Sequence, residues 1–500
     1  MQISPDKQSF LTAYAAGTAQ VVWTRISADL ETTVSAYLKL SDGRRNSFIL
    51  ESVEGGEIRG RYSFIGVAPD LIWRCRGDKA EINRSADDQT GKFTVESSGA
   101  LDSLRALIAE TRIPDMPAGL PPMSSSLVGY MGYDMVRLME RLPNTPEDML
   151  GLPDGMFVRP TVMAVFDGVD DTISIVTPAR PVPGIDGEAA YAAATARVEE
   201  TIARLNGPLP RPTANAMPKA EAEPAEVRSN FTKDAFKAAV DKAKEYIHAG
   251  DAFQIVPAQR FEVAFDRPPF DLYRALRRLN PSPFLFYLDY GDFAVVGSSP
   301  EILVRARDGE VTIRPLAGTR RRGTTPAEDL ALAEDLANDP KELAEHLMLL
   351  DLARNDVGRV SEIGSVEVTA QFEIERYSHV MHLSSTVVGK LDGKYDEVGA
   401  LIAGFPAGTV SGAPKVRAME IIDELEPTKR GVYAGCIGYF ASNGSMDTCI
   451  ALRTGVVKDG VLYVQAGVGV VADSDPEAEF QESQQKARAL IRAAETAQAL

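Results

Sequence analysis

Cysteine is scarce in this sequence, and its scarcity excludes two kinds of site. The chain has 500 residues and only three cysteines, Cys75, Cys436 and Cys449. Three scattered thiols are too few for a disulfide framework or for a cysteine-based zinc site. The simplest compartment for such a chain is a reducing cytoplasm.

Positive charge is also in deficit. The chain carries 53 Lys and Arg residues against 71 Asp and Glu residues, which gives a net charge of −18 at pH 7. This balance supplies no basic surface in bulk, so it argues against a nucleic-acid partner. An anionic substrate would therefore need a local cation at its site.

Membrane spans, an N-terminal targeting signal and a Walker A loop are missing too. No apolar run is long enough to cross a bilayer, and the opening MQISPDKQSF lacks the basic and apolar pattern of a signal peptide. The Gly-rich stretch 404–415 lacks the GxxxxGK(S/T) spacing, which disfavours ATP or GTP. Backbone amides where this stretch meets a helix can still bind anions.

The remaining composition is that of a soluble globular protein, with 44% hydrophobic and 25% charged residues. We predict an N-terminal part over 1–205, built of short strands and helices. A segment rich in Pro, Ala and charge follows over 206–230 and reads as a linker or surface loop. Residues 231–500 form a second, more densely patterned part.

One stretch, KELAEHLMLLDLARND at 341–356, predicts a single helix. Leu343, Leu347 and Leu350 fall at i, i+4 and i+7, the spacing of a buried helical face. A second helix is indicated near the C-terminus, where residues 475–476 (Asp-Pro) form a helix-start signal.

Each of these two helices carries a pair of carboxylates at i and i+3. Glu342 and Glu345 are neighbours on the first helix, and Glu479 and Glu482 on the second, with Lys486 four residues further on. A lone pair of this kind is usually a solvated acidic face. Two pairs and a lysine could enclose a divalent metal and a carboxylate ligand, because Mg²⁺ prefers a few carboxylates plus water and an anionic substrate.

An ordered set of motifs connects these features to a known family. It comprises SSPEILV, PLAGTRRRG, EHLMLLDLARND, FPAGTVSGAPK, YAGCIGYF, ALRTG and AGVGVVADSDPEAEFQES. Together these segments resemble the chorismate-utilising enzymes. LES at 50–52, GRYSFIG at 60–66 and NPSPFLF at 280–286 resemble the anthranilate synthase component I family within that group. The resemblance covers nearly the whole chain except the linker.

The resemblance implies a fold and an activity. The fold would be α+β, a layered sandwich of mainly antiparallel sheets covered by helices, with the active site between the sheets. The activity would be Mg²⁺-dependent conversion of chorismate and ammonia to anthranilate and pyruvate, the first step of tryptophan biosynthesis, with feedback inhibition by L-tryptophan. Residues 231–500 would be the catalytic part, and 1–205 would contribute to the regulatory tryptophan site.

The resemblance also implies roles for particular residues. Glu345 and Glu482 would be the Mg²⁺ ligands, supported by Glu342 and Glu479. Contacts with chorismate would come from Gly318, Thr319, Tyr433, Arg453, Gly467, Val468, Gly469 and Lys486.

Two further residues are implied in catalysis, and four in regulation. Glu301 would be the general acid for departure of the ring hydroxyl, and His382 would act in the later elimination of pyruvate. The tryptophan pocket would be formed by Ser52, Pro283, Phe284 and Leu285. In isolation, His382 in the run HVMH is better explained as a core histidine held by hydrogen bonds.

Two residues of this chain differ from those of related synthases and help to distinguish among the possible activities. Isochorismate and salicylate synthases have a water-activating lysine where this chain has Gln254, so an isochorismate-forming isomerase is disfavoured. Aminodeoxychorismate synthases have a nucleophilic lysine in a PIKGT-type motif, where this chain has PLAGT with Ala317. A third alternative, a tryptophan-sensing protein with a dead active site, predicts loss of the carboxylate pairs or of Arg453, and all are present.

A partner subunit is implied as well. No cysteine of this chain stands in the context of a glutaminase nucleophile, and Cys436 in YAGCIGY reads as core. Ammonia would therefore come from a separate glutamine amidotransferase subunit, anthranilate synthase component II, in a heterotetramer.

Overall fold

The computed structural model describes residues 2–52, 60–85, 92–210, 224–377 and 380–498. Within these ranges the strands are β1 (Gln20–Ser27), β2 (Ser47–Glu51), β3 (Tyr62–Arg76), β4 (Lys79–Asn83), β5 (Thr94–Gly99), β6 (Ser126–Met131), β7 (Gly155–Asp167), β8 (Thr172–Ala179), β9 (Val227–Ser229), β10 (Gln254–Ile255), β11 (Ala258–Ala264), β12 (Phe284–Asp289), β13 (Phe293–Ser299), β14 (Ile302–Arg307), β15 (Glu310–Ile313), β16 (Leu316–Arg321), β17 (Glu367–Arg376), β18 (Val380–Lys390), β19 (Gly412–Ala413), β20 (Cys436–Ala441), β21 (Met446–Ile450), β22 (Thr454–Lys458) and β23 (Val461–Gly467).

The α-helices in the same ranges are α1 (Lys7–Ala15), α2 (Thr33–Ser41), α3 (Ala100–Thr111), α4 (Gly187–Leu205), α5 (Lys233–His248), α6 (Pro269–Leu279), α7 (Pro326–Asn338), α8 (Pro340–Gly358), α9 (Glu397–Gly404), α10 (Gly408–Ser411), α11 (Lys415–Leu425) and α12 (Pro476–Gln498). None of the helices in the described residues is both long enough and apolar enough to cross a membrane.

The strands form two large antiparallel sheets that share β3 and β7. The first sheet runs β1-β8-β7-β3-β2-β12-β13-β22-β23-β11-β9. The second runs β5-β4-β3-β7-β6-β20-β21-β14-β15-β18, with β16 and β17 both paired to β18. Both sheets therefore combine strands from 1–205 with strands from 231–500.

Strand β3 reaches both sheets because it is long and irregular. The sequence predicts two separate strands over 61–66 and 71–75, but residues 62–76 form one strand of 15 residues. Its register against β7 shifts between Pro69 and Leu71. Such an irregularity bends a strand and increases its twist, which lets the two halves of β3 lie in different sheets.

The apolar core lies in three layers. One cluster packs the first sheet against α1, α2, α4, α6 and α12, and another packs the second sheet against α3, α9, α10 and α11. The third cluster draws on both sheets, with side chains such as Val128, Phe286, Ile437 and Val456, and it fills the space between them. The predicted α+β sandwich of antiparallel sheets covered by helices is confirmed.

The helix α8 begins and ends close to the predicted bounds, but its buried face is different. Leu347 is 48% exposed, so the predicted stripe of Leu343, Leu347 and Leu350 is wrong at its centre. His346 takes the inward position instead, fully buried with Nε2 at 2.7 Å from Ser385 Oγ of β18. A buried hydrogen bond thus fixes the rotation of the helix, which apolar spacing alone does not reveal.

The predicted linker ends in regular structure. Val227–Ser229 forms β9, which pairs with β11 at the edge of the first sheet. Residues 211–223 lie outside the described residues, as does part of the Gly-rich turn predicted near residue 55.

Candidate active site

Glu301 lies where the chain passes from the first sheet (β13) to the second (β14). The residue is only 5% exposed. One carboxyl oxygen accepts hydrogen bonds of 3.3 Å from Leu316 N–H and from Thr409 Oγ1. Burial outweighs these donors and raises the pKa of the Glu301 carboxyl to about 8. The group is therefore a protonated acid near neutral pH, the state that a general acid needs.

Arg453 lies where the chain passes back from the second sheet (β21) to the first (β22). It has a left-handed φ of 47°, and its carbonyl accepts a hydrogen bond of 3.2 Å from Ser298 N–H of β13. The sequence predicts one strand over 448–457 that contains Arg453, which is wrong because the chain changes sheets here. The two crossings place Glu301 and Arg453 on neighbouring segments.

His382 is held through one ring nitrogen and leaves the other bare. Nδ1 lies 2.8 Å from the carbonyl oxygen of Gly318 and 3.1 Å from Thr319 Oγ1. Because a carbonyl oxygen can only accept, Nδ1 carries the proton and Nε2 holds the lone pair. Nε2 is buried without a hydrogen-bond partner in the described part of the chain. Burial, assisted by the positive charge of Arg453, lowers the pKa of the imidazole, so a neutral ring can accept a proton at Nε2.

Gly318 connects the His382 side of the site to the first carboxylate pair. Its φ is 64°, and a Cβ at this position would lie 2.9 Å from Glu342 Oε2. Glu342 in turn pairs with Arg320 Nη1 at 3.1 Å. The left-handed backbone favours glycine at this position.

Glu345 stands one turn further along α8 and contacts Gln254. Its Oε1 accepts a hydrogen bond of 3.1 Å from Gln254 Nε2. Burial raises the pKa of Glu345, and the negative charge of Glu342 acts in the same direction. A Cβ at Gly469 would lie 2.8 Å from Gln254 Nε2 and 3.8 Å from Glu345 Oε1, so the glycine segment approaches this carboxylate closely.

The second carboxylate pair lies on α12 in the same region. Glu482 forms an ion pair with Lys486 at 2.8 Å. Burial raises the pKa of Glu479, and the charge of Glu482 adds to the effect. The positive charges of Lys341 and Lys486 act on both Glu345 and Glu479. The two predicted pairs are therefore close enough to share the same cationic neighbours.

Lys486 also contacts the predicted glycine segment. Its Nζ donates a hydrogen bond of 3.1 Å to Gly467 O, and a Cβ at Gly467 would lie 2.7 Å from Tyr433 Oη. Burial raises the pKa of the Tyr433 phenol to about 12, which keeps it a donor at neutral pH. The side chain of Val468 is fully buried in the core, so only its backbone is available to a ligand. Tyr433 precedes β20 instead of lying within it, contrary to the strand predicted over 432–440.

The donor atoms of this region suit a hard divalent cation. All of its candidate ligands are oxygens, and burial together with mutual repulsion disfavours the charged forms of Glu345 and Glu479. Gln254 Oε1 is buried without a partner among the described residues. In the same residues no three His, Cys, Asp or Glu side chains are set close enough to hold an ion by themselves. An ion here would complete its shell with water and substrate oxygens, as Mg²⁺ commonly does.

The residues predicted to form the tryptophan pocket lie on two neighbouring strands. Ser52 directly follows Glu51, the last residue of β2, and Glu51 pairs with Leu285 of β12. Pro283 and Phe284 precede Leu285 on the same segment. The fold thus brings together Ser52 and the 283–285 segment, which are distant in sequence.

A buried charge cluster that the sequence does not predict lies beside these residues. Glu51 accepts hydrogen bonds of 2.7 and 3.0 Å from Nε and Nη2 of Arg277, and further ones from the hydroxyls of Tyr273 and Thr33. An acidic residue at the end of an apolar strand signals that a buried partner exists. Nothing in the local sequence indicates that the partner is on α6.

A second overlooked pair lies near Glu301. Lys415 Nζ and Asp356 Oδ2 are 2.8 Å apart, and both side chains are almost fully buried. Both residues belong to segments quoted above, but their spacing in sequence gives no sign that they meet.

Comparison with known proteins identifies the family. The family described as chorismate binding enzyme matches residues 47–492. Anthranilate synthase component 1 of Cereibacter sphaeroides is 59% identical over 490 residues, which covers 98% of this chain and 97% of that protein. The protein of the same name from Pseudomonas aeruginosa is 49% identical and covers 93% of each chain.

Solved structures agree with the sequence comparison. The crystal structure of anthranilate synthase component I from Streptococcus pneumoniae TIGR4 superposes with a TM-score of 0.76 at 37% identity, over 94% of this chain and 99% of that one. The isochorismate synthase MenF of Escherichia coli shares the fold, with a TM-score of 0.70 over 98% of both chains, at 20% identity. On sequence and fold together, the chain belongs to the chorismate binding enzymes, among the relatives of anthranilate synthase component I.

Proposed function

We propose that this chain is the large subunit of a Mg²⁺-dependent anthranilate synthase, which converts chorismate and ammonia to anthranilate and pyruvate in the first step of tryptophan biosynthesis. The observation that carries the proposal is that the chain supplies both a protonated buried acid, Glu301, and an imidazole nitrogen without a hydrogen-bond partner among the described residues, Nε2 of His382. The reaction needs these two functions, one proton donor and one proton acceptor.

Cationic and backbone groups would bind chorismate. Arg453 would hold one carboxylate, where a guanidinium can form two parallel hydrogen bonds. Lys486 would meet a carboxylate too, and the phenol of Tyr433 would donate a hydrogen bond. The backbone of Gly318 and Thr319, and that of Gly467, Val468 and Gly469, would approach the ligand without obstruction by side chains. Mg²⁺ on Glu345 and Glu482, supported by Glu342 and Glu479, would neutralise and orient the other substrate carboxylate.

Two proton transfers then divide the reaction. In the first step ammonia forms a bond to ring carbon C2 while the C4 hydroxyl leaves, and Glu301 gives its proton so that water departs. The new ammonium group then loses one proton to water and becomes an amine. In the second step His382 Nε2 accepts the C2 proton and the bond between C3 and the enolpyruvyl oxygen breaks. The enolate that departs takes a proton from water to become pyruvate, and His382 releases its proton to water. The ring becomes aromatic, which makes this step favourable.

The residues at two positions favour ammonia over water and over a covalent lysine intermediate. Gln254, which donates to Glu345, has no basic lone pair and cannot activate water. Ala317 on β16 has no nucleophile. These residues support anthranilate synthase over an isochorismate-forming isomerase and over aminodeoxychorismate synthase.

We infer that a glutamine amidotransferase subunit, anthranilate synthase component II, supplies the ammonia in a heterotetramer, because the relatives are named as a first component. We also propose that L-tryptophan binds between Ser52 and residues 283–285 and inhibits the reaction. The three cysteines are free and buried, which supports a reducing cytoplasm as the compartment.

The purified chain incubated with chorismate, MgCl₂ and an ammonium salt should develop anthranilate fluorescence. EDTA should abolish the signal and L-tryptophan should inhibit it. Isochorismate as the main product would contradict the interpretation of Gln254, and aminodeoxychorismate would contradict that of Ala317. Formation of none of the three products would favour a tryptophan-sensing protein without activity.

A further inference from the structure

A small cavity lies against Glu301, between α8 and the segment 404–409. It measures about 30 Å³. A single water molecule needs roughly 10–15 Å³ on this scale, so the cavity has room for about two. Most of its wall is apolar and includes Leu349, Leu352 and Ala353.

Three polar side chains interrupt that apolar wall. They belong to Glu301, Thr409 and Asp356. Thr409 Oγ1 already donates to Glu301 Oε1 at 3.3 Å. A water in a cavity needs two to four polar partners to be held, and the two carboxyl groups and the hydroxyl meet that requirement.

Asp356 joins the cavity to a cation. It pairs with Lys415 at 2.8 Å, and the two side chains are 6% and 10% exposed. Burial raises the pKa of Asp356, while the positive charges of Lys415 and Arg359 oppose the rise. The charged group that faces Glu301 is Arg314, whose effect on its pKa is smaller than that of burial.

The proposed reaction requires that Glu301 be reprotonated after each turnover. Once Glu301 has given its proton away, a buried carboxylate remains and must be reprotonated before the next turnover. Its two donors in the described part of the chain are the Leu316 amide, which cannot release its proton, and the Thr409 hydroxyl. Glu301 must therefore regain its proton from another group or from water.

We propose that the cavity holds water and that, with Asp356 and Lys415 at its far side, it is the route by which Glu301 regains its proton. The inference rests on the proposed function. Cavity water gives a proton to the Glu301 carboxylate and takes one from Asp356, which receives it from the Lys415 ammonium. Lys415 regains a proton from solvent, so the relay returns to its starting state and consumes no further reactant. Asp356 and Lys415 act through Glu301 and are positioning residues.

The test replaces Asp356 and measures proton transfer directly. In Asp356→Asn we expect kcat with ammonia to fall about tenfold, a modest part of the usual contribution of acid catalysis. The KM for chorismate should change less than twofold, and the solvent deuterium isotope effect on kcat should rise, because proton return becomes rate-limiting. Asp356→Glu, which keeps a carboxyl group, should restore most of the rate. Asp351→Asn is the matched control, since Asp351 is exposed on the same helix and pairs only with the exposed Arg354 in the described structure.

A second variant removes the water and keeps the ion pair. Ala353→Leu would fill the cavity and should reproduce the fall in kcat and the larger isotope effect. A wild-type rate and isotope effect in Asp356→Asn would overturn the proposal. A lower rate with an unchanged isotope effect and a lower melting temperature would also overturn it, because Asp356 would then only join α8 to α11. A wild-type chain that makes no anthranilate would instead contradict the proposed function.

Discussion

The carboxyl groups in the two parts of the candidate site differ in their burial and in the charges around them. Glu301 is buried and protonated; its hydrogen-bond donors are an amide and a hydroxyl, and the charge of Arg314 affects its pKa less than burial does. The carboxyl groups on α8 and α12 come in pairs, are less buried, and stand among Lys341, Lys486 and Arg320. Burial without an ion pair gives an acid that can donate a proton, whereas we propose that the paired carboxylates hold a divalent ion together with water and substrate.

The difference follows from the elements that carry the two sets. Glu301 sits between two strands of different sheets, where it is only 5% exposed. The pairs lie on helices, where i and i+3 positions necessarily bring like charges together. The position of a glutamate in the fold, between two strands or in a pair on a helix, therefore determines how readily its carboxyl group is protonated.

The largest expected effect is on the isolated acid. Glu301→Gln keeps the shape but removes the proton, so kcat for anthranilate should fall by roughly 10²–10⁴, with little change in the KM for chorismate. Steady-state kinetics with ammonium as the nitrogen source would measure both. A fall of less than threefold would show that Glu301 is not the acid. Its chemical role would then not differ from that of the paired carboxylates on α8 and α12 in the way proposed.

The next effect concerns the paired carboxylates. Glu479→Gln should weaken apparent Mg²⁺ affinity roughly 10–100-fold, as is typical when a supporting group is lost, while kcat at saturating Mg²⁺ stays within a few-fold of wild type. Titration of activity with MgCl₂ gives both values. Glu477→Gln on the same helix is the matched control, because Glu477 pairs with Lys233 and Lys237 away from the site. Equal effects of the two substitutions would mean that the α12 pair is not a metal site.

A smaller effect is expected from pH. The pKa of Glu301 is raised to about 8, so the protonated, active form predominates below that value. Activity should fall as pH rises through about 8, towards tenfold per unit once the acid is largely ionised. A pH profile of kcat at saturating substrate tests this. A profile that is flat to pH 9.5 would place the acid elsewhere.

The smallest effect on catalysis is expected at the proposed regulatory pocket. Ser52→Ala should weaken inhibition by L-tryptophan and leave the uninhibited rate within twofold, because Ser52 directly follows β2 and is not one of the proposed catalytic groups. Inhibition curves at fixed chorismate would show it. Parallel loss of rate and inhibition would argue against a separate site.

Local sequence predicts individual helices and strands better than the positions at which the chain passes from one sheet to the other. The spacing of charges and the helix-start signal predict α8 and α12 closely, since these depend on neighbours within one turn. The predicted strand through Arg453 and the predicted pair of strands over 61–75 are wrong, because both errors concern where a strand leaves one sheet for the other. That depends on contacts with distant segments such as β13 and β7.

The same distinction holds for the candidate site: the sequence indicates individual residues but not the contacts between distant ones. Motif resemblance names Glu301, His382 and the carboxylate pairs, but the bare nitrogen of His382 depends on the carbonyl of Gly318, 64 residues away. The pair of Asp356 and Lys415 is likewise formed by residues on separate helices. Such partners are set by tertiary structure, and a single sequence carries no local signal of them.

The sharing of β3 and β7 between the sheets has a consequence for how the chain folds. Strands β2 and β6 emerge early in synthesis, but each finds one of its partners, β12 or β20, only after residues 231–500 have followed. Until then two strand edges stay open, and open edges invite pairing with other chains. A fragment that ends at residue 205 should therefore aggregate instead of folding. The growing chain passes through a stage in which its open strand edges must be kept from pairing with other chains.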